Sequence, residues 1–231
     1  MKNTPIFINV RDRLECLKEL VFWLEEANYK NIVFIDNAST YQPLLEWLQK
    51  TPHRWIRLKA NLGHLALYRC GLFNDIISSY YYCYTDPDII PDKLCPRDLL
   101  DHFKDILEIH SEYQRVGIGL KIDDLPNYYP LKLEVIKHEN SIKRKVLGGG
   151  LWEALVDTTF YLSRPHKVND TYIADNISRV ESSMRTSEPY IARHADWYID
   201  PANIKNDYEY YIRNLGIDTS WSKFAANGKP K

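Results

Sequence analysis

Short apolar runs alternate with amphipathic stretches through the first half of the chain. The run PIFINV at 5–10 favours a β-strand, and apolar side chains then recur every three or four positions over 14–24, as on one face of a helix. The near-continuous apolar run NIVFIDN at 31–37 is typical of a strand covered on both faces, and the segment at 38–50 has helical spacing. Two strand–helix units therefore open the chain.

The same alternation continues beyond position 100. WIRL at 55–58 predicts a third strand, apolar positions over 65–76 predict a third helix, and YYYCYT at 80–85 predicts a buried fourth strand. Another helix is predicted around Leu99, Phe103 and Ile106. Because parallel strands need long crossover connections, this order predicts an α/β fold with a mostly parallel sheet flanked by helices.

The second half of the chain has a weaker pattern. RVGIGLKI at 115–122 predicts a fifth strand. Prolines interrupt 123–150 and three glycines end it; the run KLEVIKHENSIKRK at 132–145 could be a strand pair or a mobile loop, and we expect a loop that can move over a site. A late strand is expected at 156–163, a short helix within 169–186 and a last helix at 206–215.

Composition and charge narrow the class of protein. The chain has 231 residues and is 45% hydrophobic, so it can bury a core as one domain. Its 30 basic and 31 acidic residues give a net charge of −1. The chain as a whole therefore lacks the excess of positive charge that is typical of a nucleic-acid-binding protein. The four cysteines show no CxxC spacing, as expected for reduced thiols. No apolar run is long enough for a spanning helix, so we expect a cytoplasmic protein, with peripheral contact to the inner face of the membrane left open.

Polar residues recur where the predicted strands end. These residues are Arg11 and Asp12, Asp36 and Asn37, Asp86 and Asp88, and Asp123 and Asp124. In open parallel sheets ligands bind at the carboxyl ends of the strands. Several carboxylates at one edge repel one another unless a cation lies among them, which favours a divalent metal.

The Asp-x-Asp sequence after the fourth predicted strand is the sharpest of these signals. Pro87 fixes one backbone dihedral between Asp86 and Asp88 and so stiffens the turn that aims the two carboxylates. Such hard oxygen ligands suit Mg²⁺ or Mn²⁺. Asp and Pro are also ordinary turn residues, so a simple strand-ending turn is the alternative. The position at the end of an apolar strand favours the metal site.

The first 125 residues resemble glycosyltransferases of the GT-A fold, of the family-2-like kind. The resemblance rests on IFINVRDR, IVFIDNAST, NLGHLALYRCG and YYCYTDPDIIP in that order. It implies a single domain at 1–217, with a nucleotide-sugar-binding half at 1–125, an acceptor-side half at 126–217, and a tail at 218–231. It also implies a nucleotide-sugar donor, with UDP favoured, and a glycan or lipid-linked acceptor in bacterial surface polysaccharide synthesis.

The resemblance also implies roles for particular residues. Arg11 would lie near the nucleotide, Asp36 would contact the base, Asn61 and Gly63 would form a loop beside it, and Arg69 would lie near the diphosphate. Asp86 and Asp88 would hold the metal that bridges the diphosphate. The segment RHADWYIDP resembles the C-terminal segment of such enzymes, which would make His194 a further metal ligand. A packed or hydrogen-bonded histidine is the alternative.

An inverting transfer would need a carboxylate that takes the proton of the acceptor hydroxyl. The candidates are Glu153, Asp157, Asp123 and Asp124, among which we select Asp157, with Glu153 nearby. Any of them could instead make local hydrogen bonds only. The sequence does not decide between inversion and retention. The basic run at 143–145 could contact the diphosphate, an anionic acceptor or anionic lipid, or lie in solvent.

Two other functions remain open from the sequence. A nucleotidyltransferase also uses acidic metal ligands on an α/β sheet, but NVRDRLE after the first strand lacks the glycines of its usual phosphate loop. A non-catalytic nucleotide or sugar binder of the same fold is the other possibility.

Overall fold

The computed structural model describes residues 1–168 and 183–215. Its first four strands are β1 (Ile6–Val10), β2 (Ile32–Asp36), β3 (Arg54–Arg57) and β4 (Tyr82–Thr85). They lie parallel in the order β3-β2-β1-β4. This arrangement confirms the predicted strand–helix units and brings the carboxyl ends of β1, β2 and β4 to one edge.

The side chains of β1 point alternately to the two faces of the sheet, and all of them are apolar or buried. Both faces must therefore be covered, and helices cover them. Ile6, Ile8 and Val10 pack in one buried cluster with α1 (Glu15–Glu26), α2 (Gln42–Lys50) and α5 (Leu99–Ile109). Phe7 belongs to a second cluster on the other face. All of β1 and β2 is buried, which explains their near-continuous apolar sequences.

The predicted third helix is broken into pieces. A 3-10 turn at Gly63–Leu65 leads into α3 (Ala66–Arg69), and α4 (Asn74–Ser79) follows after a gap. Gly71 between them has φ +67°, a left-handed conformation that cannot continue a right-handed helix. The prediction of one continuous helix was therefore wrong. Of the residues that marked it, Leu65 and Tyr68 are buried in the cluster that contains Phe7 of β1, Ile76 packs against that cluster, and Leu72 is 59% exposed.

The predicted fifth strand is divided between two sheets. β6 (Arg115–Gly117) belongs to the large sheet, whereas β7 (Gly119–Leu120) belongs to a small sheet with β5 (Ile89–Pro91). At Gly119 an added Cβ would lie 2.1 Å from the Thr186 carbonyl oxygen, so the chain needs glycine where it passes close to another backbone. The apolar alternation in the sequence continues through both strands, so it could not show that the chain changes sheet between them.

The segment after position 123 is helix and hairpin rather than an irregular loop. It contains α6 (Lys132–Ser141), followed by the antiparallel strands β8 (Lys143–Gly148) and β9 (Leu151–Ala154). Gly148, Gly149 and Gly150 all have positive φ at the hairpin turn. The prediction of a strand pair or a mobile loop over 132–145 was therefore wrong for most of that run, which is helical, and the observed strand pair begins only at Lys143.

The remaining strands complete both sheets. β10 (Tyr161–Ser163) lies antiparallel between β4 and β6, and β11 (Ser183–Arg185) lies parallel to β6. The helix predicted within 169–186 is therefore wrong at Ser183–Arg185, and 169–182 lies outside the described residues. β12 (Ile191–His194) joins the small sheet, and α7 (Asn206–Arg213) confirms the predicted last helix. The tail predicted at 218–231 also lies outside the described residues.

The described residues thus form a mixed α/β fold with a large central sheet flanked by helices. Nine strands of this part of the chain form the large sheet in the order β3-β2-β1-β4-β10-β6-β11-β9-β8. Its first four strands are parallel, and its other half contains antiparallel pairs. All four cysteines are free. In the part of the chain covered by the structure, none of the helices is both long and apolar enough to cross a membrane.

Candidate functional site

The Asp-Pro-Asp turn joins the large sheet to the small sheet at the edge where the carboxyl ends of β1, β2 and β4 meet. It follows β4 directly and leads into β5. The Asp86 amide donates to the Thr158 carbonyl oxygen at 3.0 Å, and the Asp88 carbonyl oxygen accepts from the Ala195 amide at 2.8 Å. These backbone bonds fix the turn against two later segments, one carrying Asp157 and the other carrying His194.

Three side chains meet beside this turn in an arrangement that can hold a metal ion. Ligand atoms of Asp88, His194 and Asp196 all lie within 4.8 Å of one another. His194 ends β12 and stacks on Trp197, with ring centroids 4.9 Å apart and planes 11° apart. Its buried Nδ1 has no hydrogen-bond partner among the described residues. Two carboxylates and one imidazole suit a divalent ion such as Mn²⁺.

Asp86 is held differently from Asp88. Its carboxylate accepts from the Thr158 hydroxyl and, at 3.4 Å, from the Asn9 side-chain amide. It does not join the group formed by Asp88, His194 and Asp196 in the described part of the chain. Burial raises the pKa of Asp86 well above its usual range, and the neighbouring Asp88 charge raises it further.

The electrostatics of Asp88 reflect several charged neighbours. Burial raises the pKa of Asp88, and Asp196 adds to the rise, whereas His194 and Arg13 act in the opposite direction. A cation bound among these groups would favour their ionised form, because it removes the repulsion between the carboxylates. The site is therefore electrostatically suited to a metal.

Arg13 lies against the same group and was not among the predicted site residues. Its Nη2 is 2.5 Å from Asp196 Oδ1, and its Nη1 is 3.6 Å from Asp88 Oδ2. Burial by itself would lower the pKa of Arg13, but Asp196 and Asp88 raise it well above its usual value, so the guanidinium is charged. Asp196 was also missed, and its only sequence signal is its position two residues after His194.

The loops after β1 and β2 are fastened to each other. Arg11 donates to the carbonyl oxygens of Asn37 and Ala38, at 3.0 and 3.2 Å. Asp12 has φ 52°, and its carboxylate accepts from the amides of Thr40 and Tyr41 at 2.6 and 2.8 Å. These bonds place Arg11 at the same edge as the Asp-Pro-Asp turn.

Asp36 lies at the end of β2 and is fully buried. Its Oδ1 accepts from the Ser39 amide at 2.9 Å, and its Oδ2 lies 3.6 Å from Arg57 Nε. Arg57 is the register partner of Asp36 on β3, which accounts for the pair. Arg57, which ends β3, was not among the predicted site residues.

The loop at 61–63 packs between the β2 end and the Asp-Pro-Asp turn. The Asn37 side chain accepts from the Leu62 amide at 2.7 Å and donates to the Gly63 carbonyl oxygen at 2.9 Å. Asn61 accepts from the Gly63 amide at 2.9 Å, and Arg69 donates to the Leu62 carbonyl oxygen at 2.8 Å. Arg69 therefore braces this loop.

Asn9 connects that loop to the acidic turn. Its side-chain amide lies 3.4 Å from the Gly63 carbonyl oxygen and 3.4 Å from Asp86 Oδ1. The structure thus brings together the ends of β1, β2 and β4 with the loop at 61–63.

The four candidate bases lie in different surroundings. Asp157 has a side chain 60% exposed, adjoins Thr158, and lies 3.7 Å from Arg185. Glu153, in β9, accepts from the Tyr113 hydroxyl at 2.7 Å. Among these, Asp157 is next to the residue that holds Asp86.

The sequence predicted that Asp123 and Asp124 follow a fifth strand of the same sheet as the other acidic residues. This prediction was wrong, because they do not end a strand of the large sheet. They follow β7 of the small sheet, and Asp123 pairs with Lys121 at 3.1 Å. Asp124 pairs with Arg193. The division of the fifth strand at Ile118 accounts for this correction.

No protein-family model matches the chain. No curated protein matches it. Glucosyl-3-phosphoglycerate synthase from Mycobacterium tuberculosis, solved with Mn²⁺ and UDP-glucose, is similar with a TM-score of 0.48 and 12% identity, over 95% of this chain and 81% of that chain.

Two nucleotide-handling proteins are similar to a comparable degree. Apo UDP-glucose pyrophosphorylase has a TM-score of 0.47 and 9% identity, over 92% of this chain and 100% of that chain. HddC from Yersinia pseudotuberculosis, complexed with GMP-PN, has a TM-score of 0.45 and 14% identity, over 77% of this chain and 83% of that chain. At these values the likeness assigns neither an activity nor a ligand to this chain.

Proposed function

We propose that the protein is a metal-dependent glycosyltransferase that moves a sugar from a nucleotide-sugar donor to an acceptor hydroxyl. The observation that carries the proposal is the meeting of Asp88, His194 and Asp196 within 4.8 Å beside the Asp-Pro-Asp turn. This group lies at the carboxyl edge of a parallel sheet half, where ligands of open α/β sheets bind.

The donor would be a UDP-sugar bound across the ends of β1, β2 and β4. Arg11 lies on the nucleotide side, and Asn61 and Gly63 form the loop beside it. Asp36 would accept the imide N–H of the base. Its Oδ2 lies against Arg57, whose side chain is 49% exposed, so movement of Arg57 toward solvent would open this oxygen.

The metal would be held by Asp88, His194 and Asp196, with Asp86 next to them. When bound, Mn²⁺ or Mg²⁺ supplies positive charge to the diphosphate leaving group. Asn9 and Thr158 would orient Asp86 toward the same region through the bonds that they donate to its carboxylate. Arg69 would steady the loop at 61–63 near the diphosphate.

Asp157 would take the proton of the acceptor hydroxyl in an inverting transfer. Its exposed carboxylate adjoins Thr158 and so lies near the acidic turn, whereas Glu153 is engaged by Tyr113. A glycan or lipid-linked acceptor, in surface polysaccharide synthesis, would approach from the side of residues 126–217. Arg144 and Lys145 are exposed on the hairpin there and would contact an anionic acceptor or the inner face of a membrane.

Ligand-dependent thermal unfolding tests the proposal. UDP with Mn²⁺ should raise the Tm, and UDP with EDTA should not, because Asp88 and His194 would hold a metal that supplies positive charge to the diphosphate. A screen of UDP-sugars should then find one that is hydrolysed slowly without an acceptor. Indifference to every nucleoside diphosphate in the presence of Mn²⁺ would sink the proposal.

Two further assays distinguish a glycosyltransferase from a nucleotidyltransferase and from a non-catalytic binding protein. Incubation with a nucleoside triphosphate and a sugar phosphate reports a nucleotidyltransferase through release of pyrophosphate. Metal-dependent UDP binding without turnover of any donor indicates a binding protein.

A further inference from the structure

A buried arginine lies in contact with two of the three candidate metal ligands. Arg13 is 5% exposed, and its partner Asp196 is 1% exposed. One guanidinium nitrogen lies 2.5 Å from Asp196 Oδ1 and another lies 3.6 Å from Asp88 Oδ2. The planar fork of arginine can hold two carboxylates in fixed directions, whereas a lysine ammonium is a point charge.

The C-terminal helix α7 holds this guanidinium from the other side. The Arg13 Cζ lies 4.9 Å from the ring centroid of Tyr208 and 5.1 Å from that of Tyr211. Asp207, in the same helix, accepts from the amides of Leu14 and Glu15, both at 2.9 Å. The helix is therefore tied to the two residues that follow Arg13, at the start of α1.

We propose that Arg13 is a positioning residue of the metal centre and that α7 supports it. The guanidinium binds Oδ1 of Asp196 and approaches Oδ2 of Asp88, so that both carboxylates are held in fixed directions beside His194. This inference rests on the proposed metal site and adds to it a role for a helix far away in sequence.

A role for Arg13 as a cation that competes with the metal predicts a different effect of substitution. If Arg13 were only a cation competing with the metal, a lysine that keeps its charge would leave metal affinity unchanged. If its fork orients the ligands, lysine cannot replace it, because the charge stays and the geometry is lost. Arg13→Lys therefore separates the two roles.

The experiment is a titration of the full chain with Mn²⁺ alone. The EPR signal of the free ion measures how much Mn²⁺ remains unbound at each step. We expect Arg13→Lys to bind Mn²⁺ roughly 10- to 100-fold more weakly than the wild type, the usual effect of losing a group that orients a metal ligand. Circular dichroism would establish that the variant is folded. Unchanged or tighter Mn²⁺ binding by a folded Arg13→Lys would overturn the inference.

A second variant covers the case in which Arg13→Lys does not fold. Tyr211→Leu keeps Arg13 but removes one supporting ring from a half-buried position, and we expect Mn²⁺ binding about two- to fivefold weaker. Unchanged affinity in this variant would overturn the proposal that Arg13, supported by α7, positions the metal ligands.

Arg185→Lys is the matched control. Arg185 is also a buried arginine, paired with buried Glu139 at 3.1 Å, and it contacts none of the three candidate ligands. Its Mn²⁺ affinity should equal that of the wild type. If the wild type itself binds no Mn²⁺, with or without UDP, the proposed metal site fails; if only the Arg13 variant is indistinguishable from the wild type, the positioning role alone fails.

Discussion

The carbonyl oxygen of Asp88 accepts a hydrogen bond from the amide of Ala195 at 2.8 Å. This bond fastens the Asp-Pro-Asp turn to the residue that follows His194. The two candidate ligands come from distant parts of the chain, yet their backbones are held together by a direct bond and by the pairing of His194 with Ile89. The small sheet thus brings the two candidate ligands together.

The first prediction concerns Asp88 as a ligand. Asp88→Asn removes a carboxylate charge from the group while keeping its size, so Mn²⁺ affinity should fall by more than roughly 100-fold, beyond the loss expected for a group that only orients a ligand. Isothermal titration with Mn²⁺ and UDP measures it. Asp123→Asn, which changes an exposed carboxylate paired with Lys121, is the control. Equal affinity in Asp88→Asn and wild type would remove Asp88 from the site.

The second prediction concerns the stability contributed by the buried pair of Arg13 and Asp196. Asp196→Ala leaves the Arg13 charge buried without its nearest partner, and it should lower the free energy of unfolding by roughly 3–5 kcal/mol. Urea unfolding in EDTA measures the change without a metal contribution. Glu209→Ala, at an exposed ion pair with Arg213, should cost less than about 1 kcal/mol. Similar losses for both variants would contradict the buried pairing.

The third prediction concerns Asp157 as the base. Asp157→Asn should lower kcat by roughly 100-fold or more and leave UDP binding intact, because the proton acceptor acts only in the chemical step. Steady-state kinetics on the donor and acceptor found in the screen measure it. Glu153→Gln should have little effect on kcat, since Tyr113 already engages that carboxylate. The reverse pattern would transfer the role to Glu153.

The fourth prediction concerns pH and lies away from the metal group. His102 stacks on Tyr190 with centroids 3.8 Å apart, and burial lowers its pKa although Asp98 and Asp105 oppose the shift. The unfolded chain therefore takes up this proton more readily than the native state. The contribution of neutral His102 to stability is full above the unfolded pKa of about 6.5 and is lost as pH falls through that value toward the lower native pKa.

The variant His102→Phe keeps a ring against Tyr190 but cannot titrate. Its stability should fall less than that of the wild type between pH 7 and about pH 5. Urea unfolding at a series of pH values measures this difference. Parallel pH profiles for the two proteins would contradict the assignment.

Local sequence was sufficient for the parallel half of the fold and for the position of the acidic turn. The apolar runs of β1 and β2 are buried on both faces, and such strands are read directly from continuous hydrophobicity. It was insufficient at Gly71 and at Gly119, where one glycine ends a helix and another lets the chain change sheets. The end of the helix and the change of sheet depend on backbone conformation and on neighbouring residues, which the spacing of apolar residues does not encode.

The sequence by itself determined that carboxylates end the parallel strands, because strand period and turn chemistry are local properties. Only the tertiary structure decided which side chains form the group: Asp196 joins Asp88 and His194, and Asp86 turns to Thr158 and Asn9. Arg13 enters this group through burial against α7. The physical reason is that a buried charge is stabilised by whichever opposite charges packing brings to it, and the nearest partner of Arg13, Asp196, lies 183 residues along the chain.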